Sequence, residues 1–166
     1  NYALLRASLQ CGDPVVYMEH KTLWGAEGPV DESVTIPLGQ AAVRRAGSDI
    51  TIVSWSKQAL VCAAACDTLA AQGIQAELID LRTIWPWDRD TVLASAAKTG
   101  RLLVVHEAIQ AAGFGAEIAA TAAEATGCKI SRLGAPRIPV GYAPVLEAQS
   151  RVPADATVAR VQHPLA

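Results

Sequence analysis

Charge is scarce in this chain. Asp, Glu, Lys and Arg make up 18% of its 166 residues, against 51% apolar residues. That balance excludes a disordered chain, which needs low hydrophobicity and high net charge. A surplus of one sign is also missing: the net charge is −2 and the pI is near 5.9. Such a balance leaves no electrostatic footprint for nucleic acid or an anionic membrane. Apolar runs long enough to span a bilayer are absent, which predicts a soluble protein. The start, Asn1-Tyr2-Ala3-Leu4-Leu5-Arg6, has neither a basic cluster nor a long apolar block, so it does not read as a signal peptide. With no initiator Met, the chain reads as a fragment or a processed product. No Ser elbow, P-loop, metalloprotease helix or solenoid repeat occurs. The four cysteines, Cys11, Cys62, Cys66 and Cys128, form no C-x-x-C pair or zinc knuckle. They read as small buried hydrophobes in a reducing, cytoplasmic setting.

What is present is an alternation of strands and helices. Residues 1–10 repeat leucine at helical spacing, and Cys11-Gly12-Asp13-Pro14 ends that helix. Val15-Val16-Tyr17-Met18 reads as a short strand. Residues 22–33 carry Gly25, Gly28, Pro29 and three acids without apolar periodicity, which marks a domain boundary. Beyond it, Ile50–Trp55 reads as a buried strand, Lys57–Gln72 as a largely covered helix, and Ile74–Leu81 as a strand. Asp88 is placed to cap a helix whose inward stripe is Val92, Leu93, Ala96 and Ala97. A strand over Arg101–His106, a helix over Gly115–Thr126, a strand over Cys128–Leu133 and a terminal helix over Ala154–Val161 follow. Single helices between strands require crossovers. The expected fold class is therefore α/β, a mainly parallel sheet with helices on both faces.

Three groups could carry chemistry. Gly113-Phe114-Gly115 opens a helix and could cradle a phosphate, but Ile118 stands where a dinucleotide motif needs its third glycine. The alternative is a tight approach of the helix to neighbouring chain. His106-Glu107 stands at the carboxyl end of a central strand, where open α/β sheets bind ligands. Neighbouring strand residues face opposite ways, so the pair need not converge; a polar strand end facing a partner chain is the other reading. Asp80 and Arg82, an acid–base pair near Trp85 and Trp87, read as an oligomer contact, because Trp and Arg are enriched at interface hot spots. His20 and His163 have no partner nearby in sequence, and no chemistry is assigned to them.

Six motifs occur in a telling order: Asp13–Lys21 (DPVVYMEHK), Ile36–Gly39 (IPLG), Gly47–Val53 (GSDITIV), Ile79–Asp88 (IDLRTIWPWD), Lys98–Ala108 (KTGRLLVVHEA) and Gly113–Ile118 (GFGAEI). Together they resemble the beta subunit of thiamine-diphosphate-dependent 2-oxo acid dehydrogenases of the pyruvate, branched-chain and acetoin types. The resemblance implies residues 1–22 as the end of a pyrimidine-binding domain (its last helix and strand), 23–33 as a linker, and 34–166 as a transketolase-type C-terminal domain. It also implies an α2β2 assembly with an alpha subunit and a second beta subunit, and docking to the subunit-binding domain of a dihydrolipoyl transacylase. Asp80, Arg82, Trp85, Trp87, His106 and Glu107 are then the interface candidates.

The same resemblance places thiamine diphosphate and Mg in the parent enzyme, with the catalytic Glu and His outside this chain. No catalytic or cofactor-binding residue is assigned here, and this stretch alone is expected to be inactive. Some family members hold a potassium ion mainly on backbone carbonyls, and the matching positions are Ser8, Leu9, Cys11 and Asp13. Cys11 stands where the family often has Asp, and Arg137 where an acid often follows Ala-Pro. Two other readings stay open: the C-terminal domain of another transketolase-like enzyme, of the deoxyxylulose-phosphate synthase type, and a non-enzymatic α/β interaction module.

Overall fold

A computed structural model describes residues 1–163. After helix α1 (Tyr2–Gln10) comes a 3-10 turn at Lys21–Leu23. Then follow β1 (Ala42–Arg45), β2 (Ile50–Ser54), α2 (Ser56–Ala71), β3 (Ala76–Asp80), α3 (Arg89–Thr99) and β4 (Arg101–Ile109). The chain continues through α4 (Gly115–Thr126), β5 (Lys129–Ala135), the short α5 (Pro144–Glu147) and α6 (Ala154–Gln162). The five strands form one sheet in the order β1-β3-β2-β4-β5. β2, β3, β4 and β5 run parallel, and β1 pairs antiparallel with β3 at the edge.

Both faces of the sheet are buried, and the side chains divide with the strand period of two. Ile50, Ile52, Leu78, Leu103 and Val105 pack on one face against Cys62, Cys66 and Leu69 of α2 and Val158 and Val161 of α6. Val53, Ile79, Leu102 and Val104 pack on the other face against Val92 and Ala96 of α3 and Ile118 and Ala122 of α4. This explains why the strand sequences are continuously apolar rather than alternating.

Several expectations need correction. Val15–Met18 forms no strand among the described residues, and Val16 and Met18 stand 81% and 85% exposed. A β-prone run needs a neighbouring strand to pair with, and none of the described strands pairs with this one. β1 was not expected, because Ala-Val-Arg-Arg has too little apolar periodicity; its arginines suit a charged sheet edge. On α3, Ser95 rather than Ala97 faces inward. Cys62 and Cys66 are buried, and burial pushes their thiols up to about 12 and about 11. Cys11 is exposed and Cys128 half-buried, against the expectation for both.

Asp88 ties two elements together. Its Oδ1 accepts the Thr91 N–H at 3.0 Å as the cap of α3, and its Oδ2 accepts the Ala41 N–H at 2.8 Å ahead of β1. Burial raises its pKa, but these backbone bonds outweigh burial and hold the carboxyl below its usual range. Asp88→Ala is expected to cost about 1–2 kcal/mol in thermal or urea denaturation, the range for a lost N-cap. Asp88→Asn should cost less, because its amide oxygen still caps.

Candidate functional site

The carboxyl ends of β2 and β4 sit side by side, where the strand order reverses direction in sequence. Ligands of open α/β sheets bind at such points. β4 delivers His106 and Glu107 here, and the alternation of the strand sends them to opposite sides. His106 is fully buried. Its ring stacks on Trp55, with centroids 5.4 Å apart and an interplanar angle of 22°. Its Nδ1 lies 3.0 Å from the Ala108 carbonyl oxygen. A carbonyl can only accept, so Nδ1 carries the proton and Nε2 is left as an acceptor with no partner among the described residues. Burial pushes the His106 pKa down, the Ala108 bond pulls it partly back, and Arg132 pushes it down again. The ring is therefore a neutral, packed side chain, and His106 is corrected from an interface residue to a core residue.

The Gly113-Phe114-Gly115 motif is explained by the same ring. A Cβ on Gly113 would lie 2.6 Å from His106 Cε1, one on Gly115 2.7 Å from Cδ2 and Nε2, and one on Gly134 2.8 Å from Cε1. Three glycines form a cradle for one imidazole. The space beside the start of α4 is thus taken by His106, so the residues present do not fit a phosphate or the diphosphate of a cofactor there. Phe114 extends the packing, edge-on to Trp55 at 6.0 Å and to Trp87 at 6.2 Å. Trp87 is therefore partly committed within the chain. Trp85 is 81% exposed.

Glu107 faces a cleft of about 420 Å³. Its Oε2 is 3.0 Å from His20 Nε2, and its Oε1 is 3.5 Å from Lys57 Nζ. The Thr22 N–H donates to His20 Nδ1 at 3.2 Å, which makes Nε2 the protonated nitrogen and the donor to Glu107. His20 thus ties the segment before the linker to the end of β4, a role invisible in sequence because its partner lies far along the chain. Ile109, Ile138 and Val140 give the cleft apolar lining, and Arg151, paired with Glu147, lines it too. Two acids and two bases cancel, so the cleft suits a polar, uncharged or zwitterionic contact rather than a strongly charged ligand.

The Asp80–Arg82 ion pair expected from the sequence does not form. Asp80 is buried, and its Oδ2 accepts from Arg44 Nη2 at 2.8 Å and Nε at 3.1 Å. Arg82 gives Asp80 only its backbone N–H, at 3.2 Å. Its φ is +61°, outside the usual range for a side-chain-bearing residue. Burial and the neighbouring Arg44 guanidinium lower the Arg82 pKa against the pull of Asp80. Arg44 was missed because β1 was missed. The Thr83 hydroxyl accepts the Gly39 N–H at 3.1 Å and donates to the Pro86 carbonyl at 2.6 Å. That contact brings the Ile36–Gly39 and Ile79–Asp88 motifs together. At the positions Ser8, Leu9, Cys11 and Asp13, the Cys11 thiol lies 3.3 Å from the Ser8 carbonyl oxygen and 3.6 Å from that of Asp13. Among the described residues, no group of three or more His, Cys, Asp or Glu is placed to hold a metal. Among the described residues, no helix is long and apolar enough to cross a membrane.

A five-stranded sheet with one antiparallel edge, covered on both faces and ending in this carboxyl-edge cluster, defines an α/β domain of the transketolase C-terminal class. Residues 39–156 match the family described as transketolase, C-terminal domain, and the chain belongs to that family. Along most of its length it is similar to beta subunits of 2-oxo acid dehydrogenases. It is 47% identical over 123 residues to 2-oxoisovalerate dehydrogenase subunit beta 2, mitochondrial, of Arabidopsis thaliana, covering 73% of this chain and 34% of that protein. It is 41% identical over 149 residues to the acetoin:2,6-dichlorophenolindophenol oxidoreductase subunit beta of Cupriavidus necator, covering 87% and 44%. Identity to the mitochondrial pyruvate dehydrogenase E1 component subunit beta of Pisum sativum is 39% over 153 residues, covering 87% and 43%. A split-gene transketolase, solved as an inactive beta4 tetramer, superposes with a TM-score of 0.74 at 25% identity over 83% of this chain and 46% of that one. The chain spans less than half the length of each of these relatives.

Proposed function

We propose that this chain is part of the beta subunit of a thiamine-diphosphate-dependent 2-oxo acid dehydrogenase, in which it serves subunit assembly. Residues 1–22 then close the pyrimidine-binding domain, 23–33 link, and 34–166 form the C-terminal domain. The observation that carries this reading is the 37–47% identity to subunits named beta from pyruvate, 2-oxoisovalerate and acetoin enzymes. The partners are an alpha subunit, a second beta subunit, and the subunit-binding domain of a transacylase. Trp85, exposed beside Arg82, is the residue best suited to anchor such a contact. Thiamine diphosphate supplies carbanion stabilisation when bound. With His106 filling the glycine cradle, no residue of this chain is assigned to the cofactor or to Mg. A reducing, cytoplasmic location belongs to the same proposal and is supported by the free cysteines.

The test is reconstitution. The full-length chain is mixed with its alpha partner, thiamine diphosphate, Mg, 2,6-dichlorophenolindophenol as the electron acceptor and, in turn, pyruvate, branched-chain 2-oxo acids and acetoin. Turnover with one of these is the expected result. No turnover with any, from a correctly assembled complex, removes the proposal.

A further inference from the structure

We infer that the Arg82 guanidinium, with Arg44 beside it, receives a carboxylate from another subunit at the contact that Trp85 anchors; this rests on the reading of the chain as one subunit of an assembly. The residues present here are one negative charge short. Asp80 Oδ2 accepts from Arg44 Nη2 and Nε at 2.8 and 3.1 Å, and Oδ1 accepts the Arg82 backbone N–H at 3.2 Å. The half-buried Arg82 offers its guanidinium to no hydrogen bond or ion pair among the described residues. Two features of the backbone bring this about. β1 slips register against β3 at Arg44, between Val43 opposite Ile79 and Arg45 opposite Leu78. Such a bulge re-aims a side chain, here towards Asp80. Arg82 is held at φ +61°, which a residue with a Cβ keeps only where its surroundings impose it. The bonds of the Thr83 hydroxyl to Gly39 and Pro86 pin the same loop. Two cations thus share one carboxylate, and one positive charge is left over. Burial and Arg44 outweigh Asp80 in lowering the Arg82 pKa, the mark of a cation short of a counter-charge. A guanidinium fork fits a carboxylate with two parallel bonds. Trp85, on the same loop, and Ile84 add exposed apolar area. Trp and Arg together mark the centre of a protein contact rather than a free-ion site. The occupant is therefore an acidic side chain on a protein surface that also covers Trp85.

The experiment compares the natural full-length chain with Arg82→Met and Arg82→Lys. Sedimentation over a dilution series, with and without the alpha partner, reads assembly and shows which subunit supplies the acid. Urea denaturation at the dissociated end of the series reads folding. Arg82→Met should weaken assembly about thirtyfold or more, the effect of removing one partner of a buried charge pair. It should leave the urea midpoint of the dissociated chain unchanged or higher, because it removes a cation that has no partner there. Arg82→Lys keeps the charge without the fork and should fall between the two. Assembly of Arg82→Met at natural strength overturns the inference. A lower urea midpoint for the dissociated variant also overturns it, since Arg82 would then be an internal support. So does protection of the natural chain, but not of Arg82→Met, by inorganic phosphate with assembly unchanged, which would assign the cation to a small anion. A natural chain that assembles with neither itself nor the alpha partner removes the proposed function, and this inference with it.

Discussion

Gly115→Ala is expected to destabilise the protein by roughly 3 kcal/mol, the upper end for overpacking a core. The added methyl would meet His106 Cδ2 and Nε2 at 2.7 Å and Val104 Cγ1 at 3.2 Å. The imidazole cannot retreat. Trp55 stacks on its face, and Gly113 and Gly134 lie so close that a Cβ on either would come within 2.8 Å of Cε1. The sign depends on the ring, because alanine is otherwise favoured over glycine in a helix by about 1 kcal/mol. In a His106→Ala background the clash is gone, and Gly115→Ala should become neutral or stabilising. Urea denaturation of the four members of this cycle measures the coupling, expected at about 2–3 kcal/mol. An equal cost of Gly115→Ala with and without the ring would mean that the glycine serves something other than His106.

The sheet was legible because its chemistry is local. Runs such as Ile50–Ser54 and Leu102–Val105 are apolar on both faces, and the caps at Asp88, Gly100 and Gly127 announce where helices begin and end. What escaped sequence reading depends on contacts across the chain. β1 is a strand only because β3 offers it an antiparallel edge. Arg44 rather than Arg82 neutralises Asp80, since strand pairing sets Ala42 beside Asp80 and brings Arg44 within reach. At the carboxyl edge, the pattern of His106 beside Glu107 was visible, but burial of the first and the half-buried, ion-paired place of the second decide their roles. The three glycines around the imidazole come from two segments, and only the fold shows that they serve one ring. Val15–Met18 shows the converse: strand propensity without a neighbour gives no strand.

Loss of Glu77 should be the other large effect, and it should vary with pH. Glu77 lies on β3, almost wholly buried. Its Oε1 accepts the Ser95 hydroxyl at 2.5 Å, and its Oε2 accepts from Lys98 Nζ and, at 3.4 Å, from the Gly47 N–H. The Thr51 hydroxyl lies 2.6 Å from Ser95 Oγ and extends the network to β2. Gly47 is held against β3 so closely that a Cβ there would lie 2.3 Å from the backbone of Ala76 and Glu77. Glu77→Ala strips Ser95 and Gly47 of their acceptor and is expected to cost about 3 kcal/mol, the cost of one or two unsatisfied buried groups plus lost charge-assisted bonds. Burial alone would raise the Glu77 pKa, but Lys98, Ser95 and the Gly47 N–H outweigh it and leave the carboxyl below its usual value. A lowered folded pKa stabilises the native state fully above the unfolded value of about 4.3, and that contribution disappears as pH falls through the folded pKa. Glu77→Gln removes the titration and keeps the shape. The stability gap between the natural protein and Glu77→Gln should therefore be widest near neutral pH and shrink below about pH 4. Urea denaturation from pH 7 to pH 3 reads this directly. A gap that stays constant across that range would show that the Glu77 charge contributes nothing to holding β3 against α3.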